Sequence, residues 1–135
     1  MKKNIVSIID TFYGNVSGKS NKERNWTLIR SLFCDNAQLV SLNKSFVQNP
    51  DVIRADIESY LIKLKFYLQA DDFYEYSVEN NVKIFGDVAL IFNVYEAKRS
   101  LTDKAIFKKG VNMIHLLKTD DDWKILSMIW HDISF

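Results

Sequence analysis

His131 and Asp132 stand side by side in the closing stretch WKILSMIWHDISF, Trp123 to Phe135. An imidazole has an ordinary pKa near 6.5, so His131 can take or give a proton at neutral pH. Tyr95 offers a phenol that can donate to a developing oxyanion. These two form the candidate catalytic pair. Neighbours on a strand point to opposite faces, so Asp132 is not the natural partner of His131. Arg99 has the fork geometry that clamps a carboxylate, although a structural ion pair or an exposed strand end accounts for it more simply. Asn112 and Ser127 can orient a ligand or satisfy buried backbone. His115, beside Met113, reads as an interface residue. A metal site from His115, His131 and Cys34 would need side chains from different faces and a remote helix end, so none is expected, and no cofactor either. Cys34 in LFCDN reads as a small packed residue. The run TDDD lacks the spaced oxygens, glycine and distal glutamate of a calcium loop and reads as a solvated turn.

The chain that must position these groups has 135 residues, enough for one complete core, and a single domain over 1–135 is expected. Its 18 basic and 17 acidic side chains nearly cancel and are scattered, which argues against a nucleic-acid partner. No uninterrupted apolar run is long enough to span a membrane. The N-terminal MKKNIVSIIDTFYG interrupts what would be a signal-peptide core with Asn4, Ser7 and Asp10, and the one cysteine cannot form an internal disulfide. A cytoplasmic location is expected.

Ile5, Ile8, Ile9, Phe12 and Val16 recur at helical spacing and predict an amphipathic first helix ending near Gly14. Ser20 and Glu23 form a capping box for a second helix that turns Trp26, Ile29, Leu32 and Phe33 inward. CDNAQLVSL reads as a turn into a short strand. Asn49 and Pro50 suit the cap and first position of a third helix, whose stripe runs through Ile53, Ile57, Tyr60, Leu61, Leu64 and Leu68. Beyond Asp71-Asp72 the period becomes two. Phe73 to Ile84 and Val88 to Arg99 pair through a Gly86 turn, and Gly110 to Lys118 pairs with Trp123 to Ile133 through TDDD.

Helix, helix, short strand, long helix and long antiparallel strands is an order that resembles the nuclear transport factor 2-like superfamily, also called SnoaL-like or ketosteroid-isomerase-like. NWTLIRSLFCDNAQLV resembles the family's second helix and first strand, GDVALIFNVYEAKRS its central hairpin strand, and KKGVNMIHLL with DDWKILSMIW its closing pair. The resemblance runs over nearly the whole chain. It implies an α+β, cone-shaped, cystatin-like fold: three N-terminal helices on a strongly curved antiparallel sheet, an apolar cavity inside, and a homodimer through the outer sheet face. It does not imply one activity, since members include isomerases, dehydratases, cyclases, epoxide hydrolases and non-enzymatic assembly domains. The deep aspartate expected of a ketosteroid isomerase and the paired carboxylates that flank the epoxide-hydrolase arginine have no evident match here.

If Lys118 lies opposite Trp123 and pairing runs on unbroken, Gly110, Asn112, Ile114, Leu116, Ile125, Ser127, Ile129 and His131 share one face. Met113, His115, Leu126, Met128, Trp130 and Asp132 share the other. The first set is assigned to the cavity and the second to the partner copy, because Met and Trp are enriched in interface cores; the opposite assignment, or a turn one residue shorter or longer, is the alternative. An unbroken Gly86 hairpin likewise groups Val82 and Ile84 with Asn93, Tyr95 and Arg99. The expected pocket therefore has an apolar floor with Asn93, Tyr95, Arg99, Asn112, Ser127 and His131 at its rim, Ile129 in its wall, and Trp26 and Tyr60 reaching in from helices. The expected function is binding of a small apolar or amphipathic molecule. The alternatives are an acid–base enzyme of the isomerase, dehydratase or cyclase type, or a non-catalytic dimerisation or assembly module.

Overall fold

The computed structural model describes residues 2–43, 53–120 and 122–135. Helix α1 (Lys2–Val16) buries Ile5, Ile9, Phe12, Tyr13 and Val16 along one stripe and runs two residues past Gly14. The Ser20 capping box does not form. Gly18, at φ +145°, exchanges two backbone hydrogen bonds with Phe73, and Ser20 N–H donates to Asp72 Oδ1 at 2.9 Å. Arg24 is buried, its Nε donating to the Val16 carbonyl at 2.8 Å. With this segment tied to distant partners, α2 starts later, at Trp26–Ser31, capped by Asn25, whose side chain accepts from Leu28 N–H.

The third helix is also shorter than its apolar stripe suggests. Asn49 and Pro50 lie outside the described residues, and Ile53–Asp56 is strand β2 rather than helix, paired antiparallel with β1 (Phe33–Asn43). Helix α3 (Ile57–Ala70) begins where the Asp56 side chain accepts from Ser59 N–H at 2.8 Å. Strand β1, expected to be short, has 11 residues. The remaining strands are β3 (Tyr74–Phe85), β4 (Val88–Lys98), β5 (Lys108–Thr119) and β6 (Asp122–Ser134). Together they form one open six-stranded sheet in the order β2-β1-β6-β5-β4-β3. It is antiparallel except where β1 lies parallel to β6. The core, with Ile9, Ile29, Ile91, Ile114 and Ile125, lies between the sheet and the helices.

Both hairpins start as expected: Phe85 faces Val88 across Gly86, at φ +58°, and Lys118 faces Trp123. Neither register continues unbroken. In β6 the pairing jumps from Leu116↔Ile125 to His115↔Ser127, leaving Leu126 as an extra residue. In β3 it jumps from Glu79↔Val94 to Ser77↔Tyr95, leaving Val78 unpaired. Each is a β-bulge, and each exchanges the two faces of its own strand beyond it. Beyond Leu126, Met128, Trp130 and Asp132 turn inward and Ser127, Ile129 and His131 turn outward.

The face assignment of those residues is thus corrected. The physical reason is volume. Strict alternation that keeps Ile125 inside would bury Ser127 and His131 and expose Met128 and Trp130. Burying Met128 is worth about 2 kcal/mol, against about 1 kcal/mol for a ladder hydrogen bond lost at a bulge. In β3 the odd spacing between Phe73 and Val82, both buried, requires the same device.

Candidate functional site

Between α1, α3 and the inner sheet face lies a cavity of about 480 Å³. Its walls are aromatic and apolar: Phe12 and Tyr13 from α1, Tyr60, Leu64 and Tyr67 from α3, and Leu39, Phe73, Met128 and Trp130 from the sheet side. The Tyr60 and Trp130 rings meet edge to face at 5.5 Å. At one end the lining becomes polar, with Glu75, Tyr95, Lys108, Asn112 and Asp132 together.

The two bulges deliver both acids. Beyond Val78, Glu75 comes to share a face with Tyr95, and beyond Leu126, Asp132 comes opposite Gly110, which itself lies opposite Tyr95. Tyr95, Gly110 and Asp132 thus form a row across three strands. A Cβ on Gly110 would collide with the Tyr95 hydroxyl and the His131 carbonyl oxygen, so the missing side chain is what lets the phenol cross β5. That phenol donates to Asp132 Oδ1. Burial first, and then the bond to Asp132, push the Tyr95 pKa far above its ordinary value, so it stays a neutral donor.

Lys108 Nζ lies 3.4 Å from Asp132 Oδ2, and both side chains are about 15% exposed (15% and 14%). Burial alone would lower the Lys108 pKa. Glu75 and Asp132 outweigh it, and the ammonium is held charged. The same Nζ sits 5.5 Å from the centroids of both Tyr67 and Phe73, within cation–π range.

Glu75 is placed by its backbone: the Ser17 hydroxyl accepts from its N–H at 2.9 Å and donates to its carbonyl at 3.1 Å. Its carboxyl accepts no hydrogen bond among the described residues. The residue is half-buried and lines the cavity. Burial raises its pKa, Lys108 opposes that rise, Asp132 adds to it, and the result is about 7. Tyr60 and Tyr13 are both shifted up, burial being the main cause, and remain neutral phenols. Tyr13 donates to Asn93 Oδ1 at 2.5 Å. Asn112 is 4% exposed, and its Oδ1 is buried with no hydrogen-bond partner among the described residues.

Of the residues expected at the site, Tyr95, Tyr60 and Asn112 line the cavity. His131 does not. It is exposed on the outer face, as is Ile129, and Ser127, bonded at 3.2 Å to His115 Nδ1, is half-buried there. Asn93 is fully buried behind the lining, bonded to Tyr13, Ser77 and Asn80. Arg99 donates to the Asp72 carbonyl and stacks 3.9 Å from the Phe107 centroid, away from the cavity. Trp26 packs against the core with Lys65 Nζ 5.5 Å from its ring and does not reach the lining. Of the expected interface residues, Met113 and His115 lie outside, Leu126 is the bulge residue, and Met128 and Trp130 are inside.

Reading the sequence missed Glu75 and Lys108 altogether, and placed Asp132 on the wrong face. The available signals were the odd interval from Phe73 to Val82 and the volume of Met128 and Trp130. Both mark alternation that cannot hold throughout a strand.

No protein-family model and no curated protein matches the sequence. Solved structures do match. A protein of unknown function with a cystatin-like fold from Nostoc punctiforme has TM-score 0.76 at 10% identity, covering 98% of this chain and 90% of that one. An NTF2-like protein of unknown function from Pseudomonas putida has TM-score 0.72 at 11% identity, covering 96% and 84%. A candidate ketosteroid isomerase from Shewanella frigidimarina has TM-score 0.63 at 17% identity, covering 92% and 91%. At such identities the likeness establishes the architecture, an α+β cystatin-like fold of the NTF2-like type. No helix among the described residues is long and apolar enough to cross a membrane.

Proposed function

We propose that this NTF2-like cone is a binding domain for a small, largely apolar molecule whose one polar end meets Glu75, Lys108 and Asp132. The observation that carries this reading is the Glu75 carboxyl, which faces an aromatic cavity of about 480 Å³ without a partner among the described residues. An apolar chamber with a few convergent polar groups and one perturbed acid is the composition of a small-molecule site. A thermal-shift screen of a small-molecule library tests it. Ligands should raise the melting temperature of the wild type and lose that effect in Leu64→Trp, which fills the chamber from α3. Shifts that survive Leu64→Trp would place the ligand elsewhere.

A second reading, an acid–base enzyme of the isomerase or dehydratase type, draws support from the same group. A carboxyl titrating at about 7 is poised to move protons at neutral pH, and the Tyr60 phenol is available to an oxyanion. It requires a neutral substrate, so a neutral compound as the tightest binder would favour it.

The homodimer belongs to the same proposal, on the corrected face. Phe92, Met113 and Ile129 lie side by side across β4, β5 and β6, each at least 40% exposed, with Leu90 beside them. A second copy of this chain would cover the patch, which is apolar and contains the Met and Phe typical of interface cores. Light scattering should give twice the chain mass for the wild type and the single mass for Phe92→Asp; a monomeric wild type would remove the dimer. A cytoplasmic location, with Cys34 as a free thiol, completes the proposal.

A further inference from the structure

We infer that the cavity selects a protonated amine, its N–H groups meeting the Glu75 carboxylate while its apolar body lies against the aromatic walls. The inference rests on the binding reading and chooses among occupants by charge and hydrogen-bonding capacity.

Charge comes first. The groups around Glu75 are Lys108 from β5, Asp132 from β6, Tyr95 from β4, Tyr13 from α1, and Tyr60 and Tyr67 from α3, with exposed Lys63 at the rim. Burial keeps the Tyr13, Tyr60 and Tyr95 phenols neutral. Lys108 is matched by Asp132 at 3.4 Å. Glu75 and Asp132 share that one ammonium, which leaves one negative charge unmatched among the described lining residues inside the rim, and desolvation favours a neutral sum. Either a proton or an incoming cation can supply it. Where no cation supplies it, burial favours the protonated acid, which is the direction of the Glu75 shift.

Hydrogen-bonding capacity points the same way. The Glu75 carboxyl lines the cavity and is an acceptor with no donor among the described residues. An ammonium brings several donors, whereas a carboxylate brings none and would face Asp132 and Glu75 with only the already paired Lys108 in its favour. The walls suit a cation as well. Lys108 Nζ lies 5.5 Å from the Tyr67 and Phe73 centroids, so this chamber already holds one ammonium against ring faces.

Proton and amine compete for the same carboxylate, which fixes the sign of the pH dependence. Below pH 7 Glu75 is increasingly protonated and amine affinity falls, approaching tenfold per pH unit; above pH 7 it levels off.

The test is calorimetric titration at pH 8 and pH 6, constant ionic strength, with three probes on one skeleton: 2-phenylethylammonium, 2-phenylethanol and phenylacetate. At pH 8 the ammonium should bind at least tenfold more tightly than the other two, and at pH 6 about tenfold more weakly than at pH 8. Glu75→Gln should abolish both the preference and the pH dependence. Equal or tighter binding of the alcohol or of phenylacetate at pH 8 overturns the inference, as does ammonium binding that ignores both pH and Glu75→Gln. The binding reading survives either result if Leu64→Trp displaces the probe. Silence from all three probes overturns the inference, and a silent neutral library would remove the binding reading with it. The wild-type pH comparison needs no variant, so the outcome does not hang on Glu75→Gln folding.

Discussion

Replacing Glu75 by Gln should stabilise the protein by about 3 kcal/mol at pH 8 and by almost nothing at pH 4. The carboxyl has an ordinary value of 4.5 and titrates at about 7 in the fold. An acid whose folded pKa is raised binds more protons in the native state than in the unfolded chain throughout the interval between those values. Stability therefore falls as pH rises across that interval, and the whole penalty is present above pH 7. At about 1.4 kcal/mol per unit, a shift of this size is worth about 3 kcal/mol. Glutamine has nearly the shape of the protonated acid and carries no charge, so it escapes the penalty. Denaturant unfolding of both proteins between pH 4 and pH 8 measures the difference directly. A difference that does not change with pH would mean that Glu75 ionises in the fold as it does in the unfolded chain, and the cavity would then be wet at that end. A bound amine should cancel the same penalty in the wild type, which ties this measurement to the ligand class inferred above.

Gly110→Ala should act in the opposite direction, destabilising by about 3 kcal/mol, at the upper end for overpacking in a tight site. The new methyl would meet the Tyr95 hydroxyl and the His131 carbonyl oxygen, one a side chain and the other backbone. Tyr95 would have to swing off Asp132, leaving that carboxylate with Lys108 alone. Combining Gly110→Ala with Tyr95→Phe should recover only part of the loss, because the backbone contact remains. Full recovery in the double variant would show that the phenol alone sets the requirement for glycine, and an unperturbed single variant would show that β5 and β6 separate freely there.

Local features carried much of this fold in advance. The α1 stripe, the Gly86 turn and the Lys118–Trp123 hairpin depend on residues close in sequence, whose period or φ preference acts wherever the segment lies. Tyr95 and Asn112 line the cavity because the extra residues sit on the partner strands β3 and β6, leaving alternation in β4 and β5 unbroken, and Tyr60 lies on a helix. Ser20 did not cap α2, since Phe73 and Asp72, distant in sequence, hold that segment in another conformation. Ile53 left the helix for the sheet because β1 offered it a ladder.

The acids show the boundary most clearly. By itself the sequence determined the two long antiparallel hairpins and where they turn, but not strand β2, and it named Asp132 only to set it on the outer face. Only the tertiary structure decided which faces the residues beyond Val78 and Leu126 occupy. Strand alternation is a local property, but a bulge is a compromise between a lost ladder hydrogen bond and the volume that a particular core can take in. That compromise depends on what α1 and α3 leave room for, and it put Glu75 and Asp132 inside the cone and His131 outside it.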